Sequence, residues 1–535
     1  MSESDGGGRR DDNRSGRPDD NRRGGPGGRD GERRAAGPRR NAQGRQRPER
    51  AHGGRERSAQ KPSERGRTSD PQRLAAYTVM RAVADGAYAN LELPKVLRDK
   101  DIRGRDAAFT TELVYGAVRM HGLYDPIISV AAARPIAKID ENVVDTLRLG
   151  AHQLLGMRVP THAAVDETVA LARKVNGAGA AGFVNAVMRR ISERDLDAWL
   201  AEVVPTNGDL TARLAVEHSH PEWVVKALRA ALLGHGAATA ETIDDDLSSL
   251  VASDNDPAKV SLVARPGLSS VSELVDDGAE ASWLSPVGAI LPGGDPGAIR
   301  AVREGRAAVQ DEGSQLLALA LAAVPVEAEA PEQWLDLCAG PGGKAGLLAA
   351  LALQAGADLT ANEVTEHRTE LVRQTLRPAL LQAGAHGRTI DVRTGDGRFY
   401  GEDEPGRYHR VLVDAPCTGL GALRRRPEAR WRRTPADLAD LGALQRELLA
   451  SAIDATAPGG VIAYATCSPH LAETQFVVRD VTRKRDDVEL LDAREYLRDA
   501  SGEVVDVPGG GKTVQLWPHL HGTDGMFLAL LRKTR

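Results

Sequence analysis

The second half of the sequence alternates short apolar strands with longer helical stretches, and this alternation limits the fold more than any other feature. Strands are predicted at residues 334–338, 359–362, 389–392, 410–413 and 461–466. Strands that alternate with helices are typical of a parallel sheet covered by helices on both faces. We therefore predict a doubly wound, Rossmann-like α/β domain over residues 331–535.

Polar or reactive side chains follow each predicted strand. They lie in Asp336-Leu-Cys-Ala-Gly-Pro-Gly-Gly-Lys344, at Glu363, at Asp396, in Asp414-Ala-Pro-Cys417 and in Thr466-Cys467-Ser468. Open parallel sheets bind their ligands beyond the carboxyl ends of the strands. All of these groups are therefore expected on one rim of the sheet, where they would form a single site.

The turn after the first of these strands has the composition of a cofactor-binding loop. Between Ala339 and Gly343 it holds three glycines and a proline, so backbone amides at a helix N-terminus can approach a ligand closely. Its spacing is neither that of a P-loop nor GxGxxG, which disfavours a nucleoside triphosphate or a dinucleotide. An acid after the second strand suits a ribose diol, and one after the third suits an adenine amino group. This arrangement predicts S-adenosylmethionine, bound by Cys338, Ala339, Gly340, Pro341, Gly342, Gly343, Lys344, Glu363, Asp396 and Asp414.

The sequence contains three cysteines, Cys338, Cys417 and Cys467. They are too few and too scattered for a disulfide framework, and no CxxC or Cys/His cluster has the spacing of metal ligands. We therefore expect no bound metal. Each cysteine is either a small buried hydrophobe or a reactive group. Because Cys338 lies inside the cofactor strand, it is interpreted as a packing residue with a backbone contact to the cofactor.

Residues 1–70 differ in composition from the rest of the chain. Arg, Gly, Asp, Asn, Pro, Ser and Gln dominate this segment, and large apolar side chains are almost absent. Such a segment cannot bury enough apolar surface to offset the entropy of ordering, so a disordered basic tail is predicted. Two interpretations of the tail stay open, a solubilising segment and an electrostatic tether to nucleic-acid phosphates.

Two further segments lie between the tail and the α/β domain. Apolar residues at helical spacing over residues 71–195 predict a compact all-α domain. Residues 200–330 combine a helix near Trp223 with short strands at 260–264 and 289–291, which predicts a linker helix and a small α/β subdomain. No apolar run approaches the length needed to span a bilayer, and no leader-like segment is recognised, so a cytoplasmic protein is expected.

Several motifs resemble one enzyme family. The run LDLCAGPGGK, the DAPC motif with its continuation TGLGALRRRPEARW, and YATCS resemble the Sun/RsmB family of RNA cytosine-C5 methyltransferases. In residues 71–195, LVYGAVR, LRLGAHQLLGMRVPTHAAVDETV and GFVNAVMRR are similar to the NusB-like RNA-binding domain at the front of RsmB proteins. Two positions depart from the family pattern: Met526 replaces an aromatic residue, and Val263-Ala-Arg265-Pro266 replaces a segment that more often holds Arg and Asn.

The resemblance implies a mechanism that uses two thiols. Carbon 5 of cytosine is a poor nucleophile, and attack of a thiolate on carbon 6 enables it to accept a methyl group. The family pattern assigns this attack to Cys467 and product release to Cys417. Asp414 would bind N3 and the exocyclic amine of the base, and Lys344 would help to organise the acid and the thiol.

An arginine-rich loop, residues 422–433, follows the DAPC motif directly. Arginines and a tryptophan beside a reactive cysteine suit phosphate contacts and base stacking, and a solvated charge run is the alternative. The predicted RNA-binding residues are Arg424, Arg425, Arg426, Arg430 and Trp431. Chemistry at carbons 5 and 6 needs access to the face of the base, so the target cytosine should be single-stranded, bulged or flipped.

The sequence thus predicts an S-adenosylmethionine-dependent RNA cytosine-C5 methyltransferase, and the NusB-like front domain implies small-subunit (16S) ribosomal RNA as its substrate. Transfer RNA is the nearest alternative substrate. Two alternatives belong to other functional classes. One is a noncatalytic RNA-binding assembly factor, which would keep the fold without the methyl-transfer chemistry. A thiol oxidoreductase would use two cysteines, but the sequence lacks a CxxC motif. RNA is the expected partner, without membrane or metal, and a monomer is expected.

Overall fold

The computed structural model describes residues 70–328 and 331–535. The tail predicted for residues 1–70 lies outside this part, except for Asp70, whose side chain caps the first helix by accepting a hydrogen bond from the Gln72 amide. Within the described residues no helix is both long and apolar enough to cross a bilayer. The same residues contain no group of three or more His, Cys, Asp or Glu side chains suited to a metal ion.

The described chain begins with helices. Their bounds are α1 Pro71–Ala84, α2 Ala89–Asp99, α3 Gly104–Arg119, α4 His121–Ala132, α5 Glu141–Leu155, α6 Thr161–Val175, α7 Ala178–Ile191, α8 Leu196–Val203, α9 Leu210–Glu217, α10 Glu222–Gly234 and α11 Ile243–Ser253. The apolar spacing predicted α1, α3, α5, α6 and α7. It did not reveal α2 and α4, which contain the internal prolines Pro94 and Pro126.

Two apolar cores hold together α1–α8, which we call the helical domain. One core joins α1, α2 and α3 and includes Val79, Leu93 and Leu113. The other joins α4, α5 and α7 and also takes in Trp199 of α8. Each fully buried side chain of this size contributes roughly 1.5–3 kcal/mol, so packing of the amphipathic faces, more than helix propensity, stabilises the domain.

Helices α9–α11 have an apolar cluster of their own. It contains Leu228 and Leu247, and it also includes Leu420, Leu423 and Trp517 from the second half of the chain. These helices are therefore built into the α/β domain and are more than a linker.

A four-stranded antiparallel sheet with the order β2-β3-β1-β4 follows. Its elements are β1 Val260–Ala264, α12 Val271–Asp276, β2 Glu280–Ala281, β3 Gly288–Leu291, α13 Arg300–Arg303 and β4 Ala307–Val309. Arg265, in the segment that departs from the family pattern, is buried and donates hydrogen bonds to the carbonyls of Gly305 (2.7 Å) and Thr375 (2.8 Å). Arg265 therefore joins this sheet to the α/β domain.

The large sheet has the strand order β10-β12-β9-β8-β5-β6-β7, and β11 pairs with β12. The strands are β5 Gln333–Asp336, β6 Asp358–Glu363, β7 Ile390–Thr394, β8 Tyr408–Asp414, β9 Thr456–Thr466, β10 Val488–Leu490, β11 Val514–Gln515 and β12 Phe527–Lys533. β5 to β9 are parallel, and β12 runs antiparallel to β9. The strand order reverses between β5 and β8, where a sheet of this kind opens a crevice.

Helices cover both faces of the large sheet. They are α14 Glu312–Ala323, α15 Gly343–Gln354, α16 Glu366–Ala385, α17 Tyr400–Asp403, α18 Ala429–Arg432, α19 Asp437–Ala455, α20 Gln475–Thr482 and α21 Pro518–His521. Apolar side chains of α14, α15 and α16 form the core on one face, and those of α19 and α20 form the core on the other. The predicted fold class, an all-α front and a doubly wound α/β domain, is confirmed.

Candidate active site

A cavity of about 940 Å³ opens at the carboxyl ends of the parallel strands. The four predicted catalytic residues Lys344, Asp414, Cys417 and Cys467 all line it, as does every predicted cofactor residue except Gly342. Of the predicted RNA-binding residues, Arg425 and Arg426 line it. The expectation of one shared rim therefore corresponds to a physical cavity.

The glycine turn between β5 and α15 lies directly against the acid at the end of β6. A Cβ atom on Gly340 would stand 2.1 Å from Oε2 of Glu363, and Gly342 has a φ of +114°. Glu363 accepts hydrogen bonds from the amide and hydroxyl of Thr365 and faces Arg368 at 3.3 Å. Because larger residues do not fit here, the turn leaves room for a ligand beside a fixed carboxylate.

Asp396 lies at the cavity edge after β7, and its carboxylate is already engaged. Arg398 donates to both of its oxygens, with Nη2 at 2.6 Å from Oδ2. This pairing lowers the pKa of Asp396. A contact from Asp396 to an adenine amino group would therefore share the carboxylate with Arg398.

Asp336 is a further residue of the site, and no role was predicted for it from its sequence motif. It is fully buried at the end of β5, and neither carboxyl oxygen has a hydrogen-bond partner among the described residues. Burial, together with the nearby Asp414 carboxylate, raises the pKa of Asp336 to about 8. Its place just before the glycine turn was visible in the sequence, but its burial was not.

The two rim cysteines are in contact. Sγ of Cys417 lies 3.4 Å from Sγ of Cys467. The hydrogen bond from Cys417 lowers the pKa of Cys467, and the positive charges of Lys344 and Arg426 lower it further. The same contact, with burial, raises the pKa of Cys417. The opposite directions of the two pKa shifts thus favour Cys467 as the thiolate and Cys417 as the thiol of the pair.

Lys344, in the first turn of α15, forms an ion pair with Asp414 at the end of β8. The Nζ to Oδ2 distance is 2.9 Å. Burial opposes the charged form of Lys344, but the Asp414 carboxylate outweighs it, so the pKa of Lys344 is raised. The lysine therefore stays a cation beside the two thiols.

A buried carboxylate, Glu473, fixes the loops that hold the cysteines. It accepts hydrogen bonds from the amide of Thr418 (2.8 Å), from the Thr418 hydroxyl and from Gln445. The Thr418 hydroxyl also lies 3.2 Å from that of Ser468. Thr418 and Ser468 directly follow the two cysteines, so this network sets the distance between the sulfurs. No local sequence pattern marked Glu473.

Arg430, predicted to bind RNA, lies inside the protein. It is fully buried in the short helix α18 and donates hydrogen bonds to the carbonyls of Ser219 (2.9 Å) and Asp254 (3.2 Å) and to Oδ1 of Asn255 (3.0 Å). Burial lowers the pKa of Arg430 to about 10. Its prediction as an RNA contact is therefore corrected: Arg430 anchors the arginine-rich loop to α9–α11.

Arg424 and Arg425 are also held by the protein. Arg425 forms ion pairs with Asp311 and with Asp524, the latter at 3.0 Å. Arg424 donates to the carbonyl of Gly522 at 2.7 Å. Both guanidinium groups therefore help to fix the loop, and an RNA would meet them as partly neutralised charges.

Trp431 and Arg426 complete the predicted set. Trp431 stacks on His121 of α4, with ring centroids 4.5 Å apart, and is 36% exposed. Arg426 is exposed, and the described residues give its side chain neither a hydrogen bond nor an ion pair. Among the four arginines of the predicted set, Arg426 is thus the one whose guanidinium donors are all available to a phosphate.

Together, the parallel sheet with this strand order, the glycine turn and the strand-end acids define a methyltransferase of the S-adenosylmethionine-dependent class. Residues 323–532 match the model of the family described as 16S rRNA methyltransferase RsmB/F. Residues 70–193 match that of the NusB family.

Curated relatives match the chain over most of its length. The putative methyltransferase Rv1407 of Mycobacterium tuberculosis is 50% identical over 472 residues, which cover 88% of this chain and 98% of the relative. Ribosomal RNA small subunit methyltransferase B of Pseudomonas syringae pv. tomato is 31% identical over 478 residues, 86% of this chain and 96% of the relative. The crystal structure of PH0851 shares the fold, with a TM-score of 0.70 at 22% identity over 87% of this chain and all of that one.

The chain therefore belongs to the RsmB/F family, and its helical domain is NusB-like. It is an RNA methyltransferase with S-adenosylmethionine as its cofactor. This assignment sets aside the thiol oxidoreductase and the noncatalytic assembly factor considered from the sequence.

The burial of Arg430 leads to a prediction about stability. Arg430→Met removes the donor of four acceptors, the carbonyls of His218, Ser219 and Asp254 and Oδ1 of Asn255, and we expect the free energy of unfolding to fall by about 3 kcal/mol in urea titrations. Arg433→Met is the matched control, because Arg433 is more than one-third exposed and lies 3.8 Å from its partner Asp437. It should change stability by less than about 0.5 kcal/mol. An Arg430→Met protein with wild-type stability and weakened RNA binding would contradict the anchoring role and support a direct RNA contact by Arg430.

The raised pKa of Asp336 predicts a pH dependence. Above pH 4 the unfolded chain ionises this carboxyl, while the folded protein keeps the proton until about pH 8. Wild-type stability should therefore fall over this interval, and Asp336→Asn, which has no proton to lose, should gain relative to wild type by on the order of 2 kcal/mol between pH 5 and 8. Denaturant titrations at several pH values measure this difference.

Asp396→Asn provides a control in which the effect on stability should change with pH in the opposite direction. The pKa of Asp396 is lowered by Arg398, so its stabilising effect is present above its unfolded pKa and is lost as the pH falls. A constant difference between Asp336→Asn and wild type across the pH range would show that Asp336 is ionised in the folded protein.

Proposed function

We propose that the chain transfers a methyl group to carbon 5 of a cytosine in small-subunit ribosomal RNA, through a covalent cysteine adduct. The proposal rests on the two thiols, 3.4 Å apart, which project from neighbouring strand ends beside the Lys344–Asp414 pair. Methylation of a nitrogen or oxygen atom needs no thiol, whereas carbon 5 must first be activated. The name of the Pseudomonas syringae relative supports a small-subunit ribosomal RNA substrate.

Cys467 is proposed as the nucleophile. Its lowered pKa raises the fraction present as thiolate, the form that attacks carbon 6 of the ring. The new bond joins Sγ of Cys467 to carbon 6, and the displaced electron pair makes carbon 5 nucleophilic. The hydrogen bond from Cys417 stabilises the thiolate before attack and is given up as the sulfur becomes bonded.

The Lys344–Asp414 pair is proposed to hold the base and balance its charge. The carboxylate of Asp414, fixed by Lys344 at 2.9 Å, can accept a hydrogen bond from the exocyclic amine. The lysine cation lowers the local energy of the charge that spreads over the ring during attack. The pair thus lies where charge develops on the ring, and because its two side chains are already held in place, they need to move little during the reaction.

Cys417 is proposed to release the product. Its pKa is raised chiefly by the contact with Cys467, and that cause disappears once the Cys467 sulfur is bonded to carbon 6. Cys417 can then give its proton to solvent and, as a thiolate, remove the proton from carbon 5. The electrons of the carbon–hydrogen bond re-form the ring double bond, and Cys467 leaves as a thiolate.

The residues around the glycine turn suit the cofactor. Gly340 and Gly342 leave space that a Cβ would fill, and Asp336 presents two oxygens without partners at the same place. S-adenosylmethionine supplies an electrophilic methyl group when bound there. Glu363 and Asp396, at the ends of the next two strands, would bind its ribose and adenine.

The two cysteines should fail in different ways. Cys467→Ala should abolish methylation and form no adduct, because no sulfur attacks carbon 6. Cys417→Ala should still attack but should release product slowly, so a protein–RNA adduct accumulates and migrates as a shifted band on a denaturing gel. The reverse pattern would exchange the two roles, and adducts with neither variant would exclude covalent catalysis by this pair.

The substrate is tested by bisulfite mapping of ribosomal and transfer RNA from cells with and without the protein. One small-subunit ribosomal cytosine should lose its resistance to conversion in the absence of the protein. Wild type should restore that resistance, and Cys467→Ala should not. A protein-dependent site confined to transfer RNA would move the substrate to that class, and no dependent site in any RNA would contradict cytosine-C5 methylation.

A further inference from the structure

The helical domain contributes a wall to the catalytic cavity. Gly86 and Tyr88, in the connection between α1 and α2, line the same cavity as Cys417 and Cys467. These two residues lie more than three hundred positions before the cysteines in the sequence, and no motif marked them. The side chain of Tyr88 is 40% exposed, which is unusual for a large aromatic at a domain junction.

Contacts with the arginine-rich loop hold this connection in place. Oε1 of Glu428 accepts a hydrogen bond from the amide of Ala89. Nη2 of Arg432 donates to the carbonyls of Val83 (3.0 Å) and Ala87. The backbone of the connection is therefore fixed by one buried and two half-buried hydrogen bonds, and the exposed position of Tyr88 is a consequence of a defined structure.

Two guanidinium groups lie over the Tyr88 ring. That of Arg432 is 4.8 Å from the ring centroid, and that of Arg426 is 5.6 Å away. The roles of these arginines differ, because Arg432 is engaged with backbone carbonyls and Arg426 has no polar partner among the described residues. The charge of Arg426 also lowers the pKa of Cys467, so it acts at the reacting end of the cavity.

We propose that Tyr88 and Arg426 form a subsite for an RNA nucleotide next to the target cytosine, with the base against the Tyr88 ring and the phosphate on Arg426. The inference rests on the proposed cytosine methylation and assigns the helical domain a direct part in substrate binding. Aromatic rings and arginine are the groups that bind unstacked single-stranded nucleotides. The cytosine must leave any stack to meet Cys467, so its neighbour on the strand loses one stacking partner and exposes that face of its base.

The subsite is tested with the full-length protein and a single-stranded, cytosine-containing oligoribonucleotide. Tyr88→Ala should weaken binding, measured by fluorescence anisotropy, by about tenfold, and should raise the KM for RNA far more than it lowers kcat. Tyr88→Phe should recover most of the loss, because the ring is retained. Phe476→Ala is the matched control, since Phe476 is 37% exposed beneath Arg479 at 4.5 Å and lies outside the cavity.

Salt dependence separates the two halves of the subsite. Arg426→Gln should reduce the slope of log affinity against log salt by about one phosphate contact, and Tyr88→Ala should leave that slope unchanged. Wild-type affinity and KM in Tyr88→Ala would overturn the proposal. So would full recovery by Tyr88→Leu, which keeps apolar bulk without a π face and would indicate a packing role.

The outcome also distinguishes this inference from the proposed function. If the wild-type protein methylates cytosine and Tyr88→Ala does so with the same KM, only the subsite fails. If the wild-type protein transfers no methyl group to cytosine in any RNA, the proposed function fails first. Thermal unfolding of each variant, compared with Phe476→Ala, shows whether a loss of binding follows a loss of structure; a loss that does follow it counts against the subsite.

Discussion

The site depends on a single buried carboxylate. Glu473 is excluded from solvent, and a carboxyl group in such a place destabilises the fold unless donors satisfy its oxygens. Its donors come from the loop after β8, and the hydroxyl it holds reaches the loop after β9. Glu473 itself lies in the segment after β9, so it ties that segment to the loop after β8, and the 3.4 Å distance between the sulfurs follows from that connection. Parallel strands bring the cysteines to one edge of the sheet, and the carboxylate brings them into contact.

The surroundings of the two thiols shift their pKa values in opposite directions. Lys344 and Arg426 favour the thiolate of Cys467, while burial and the thiolate itself keep the proton on Cys417. Asp336 adds little negative charge at neutral pH, because its pKa lies at about 8. A second full carboxylate charge beside Asp414 would oppose thiolate formation. The neutral state of Asp336 is therefore compatible with the chemistry proposed for its neighbours.

The sheet and the glycine turn could be predicted from the sequence because both depend on residues that are close together in the chain. Strand ends, glycines and strand-end acids recur at fixed spacings, and the parallel topology then places them together. The roles of the arginines in the arginine-rich loop could not be predicted in this way. Arg430 donates to carbonyls that lie far away in the sequence, and nothing within the loop distinguishes Arg430 from Arg426. Tyr88 and Glu473 escaped notice for the same reason. Their roles come from neighbours that only the folded chain supplies.

The contacts of Glu428 and Arg432 with the connection between α1 and α2 have a consequence for how the protein is made. A chain folds from its N-terminal end as it leaves the ribosome, so the helical domain is complete before the arginine-rich loop is synthesised. The loop then closes on the connection between α1 and α2, and the cavity residues Cys467, Asp524 and Met526, which follow the loop in the sequence, are added after it. The NusB-like domain and the catalytic sheet are consequently not interchangeable modules. A recombination that gave this sheet a different N-terminal neighbour would keep the glycine turn and lose one wall of the cavity, the wall formed by Gly86 and Tyr88.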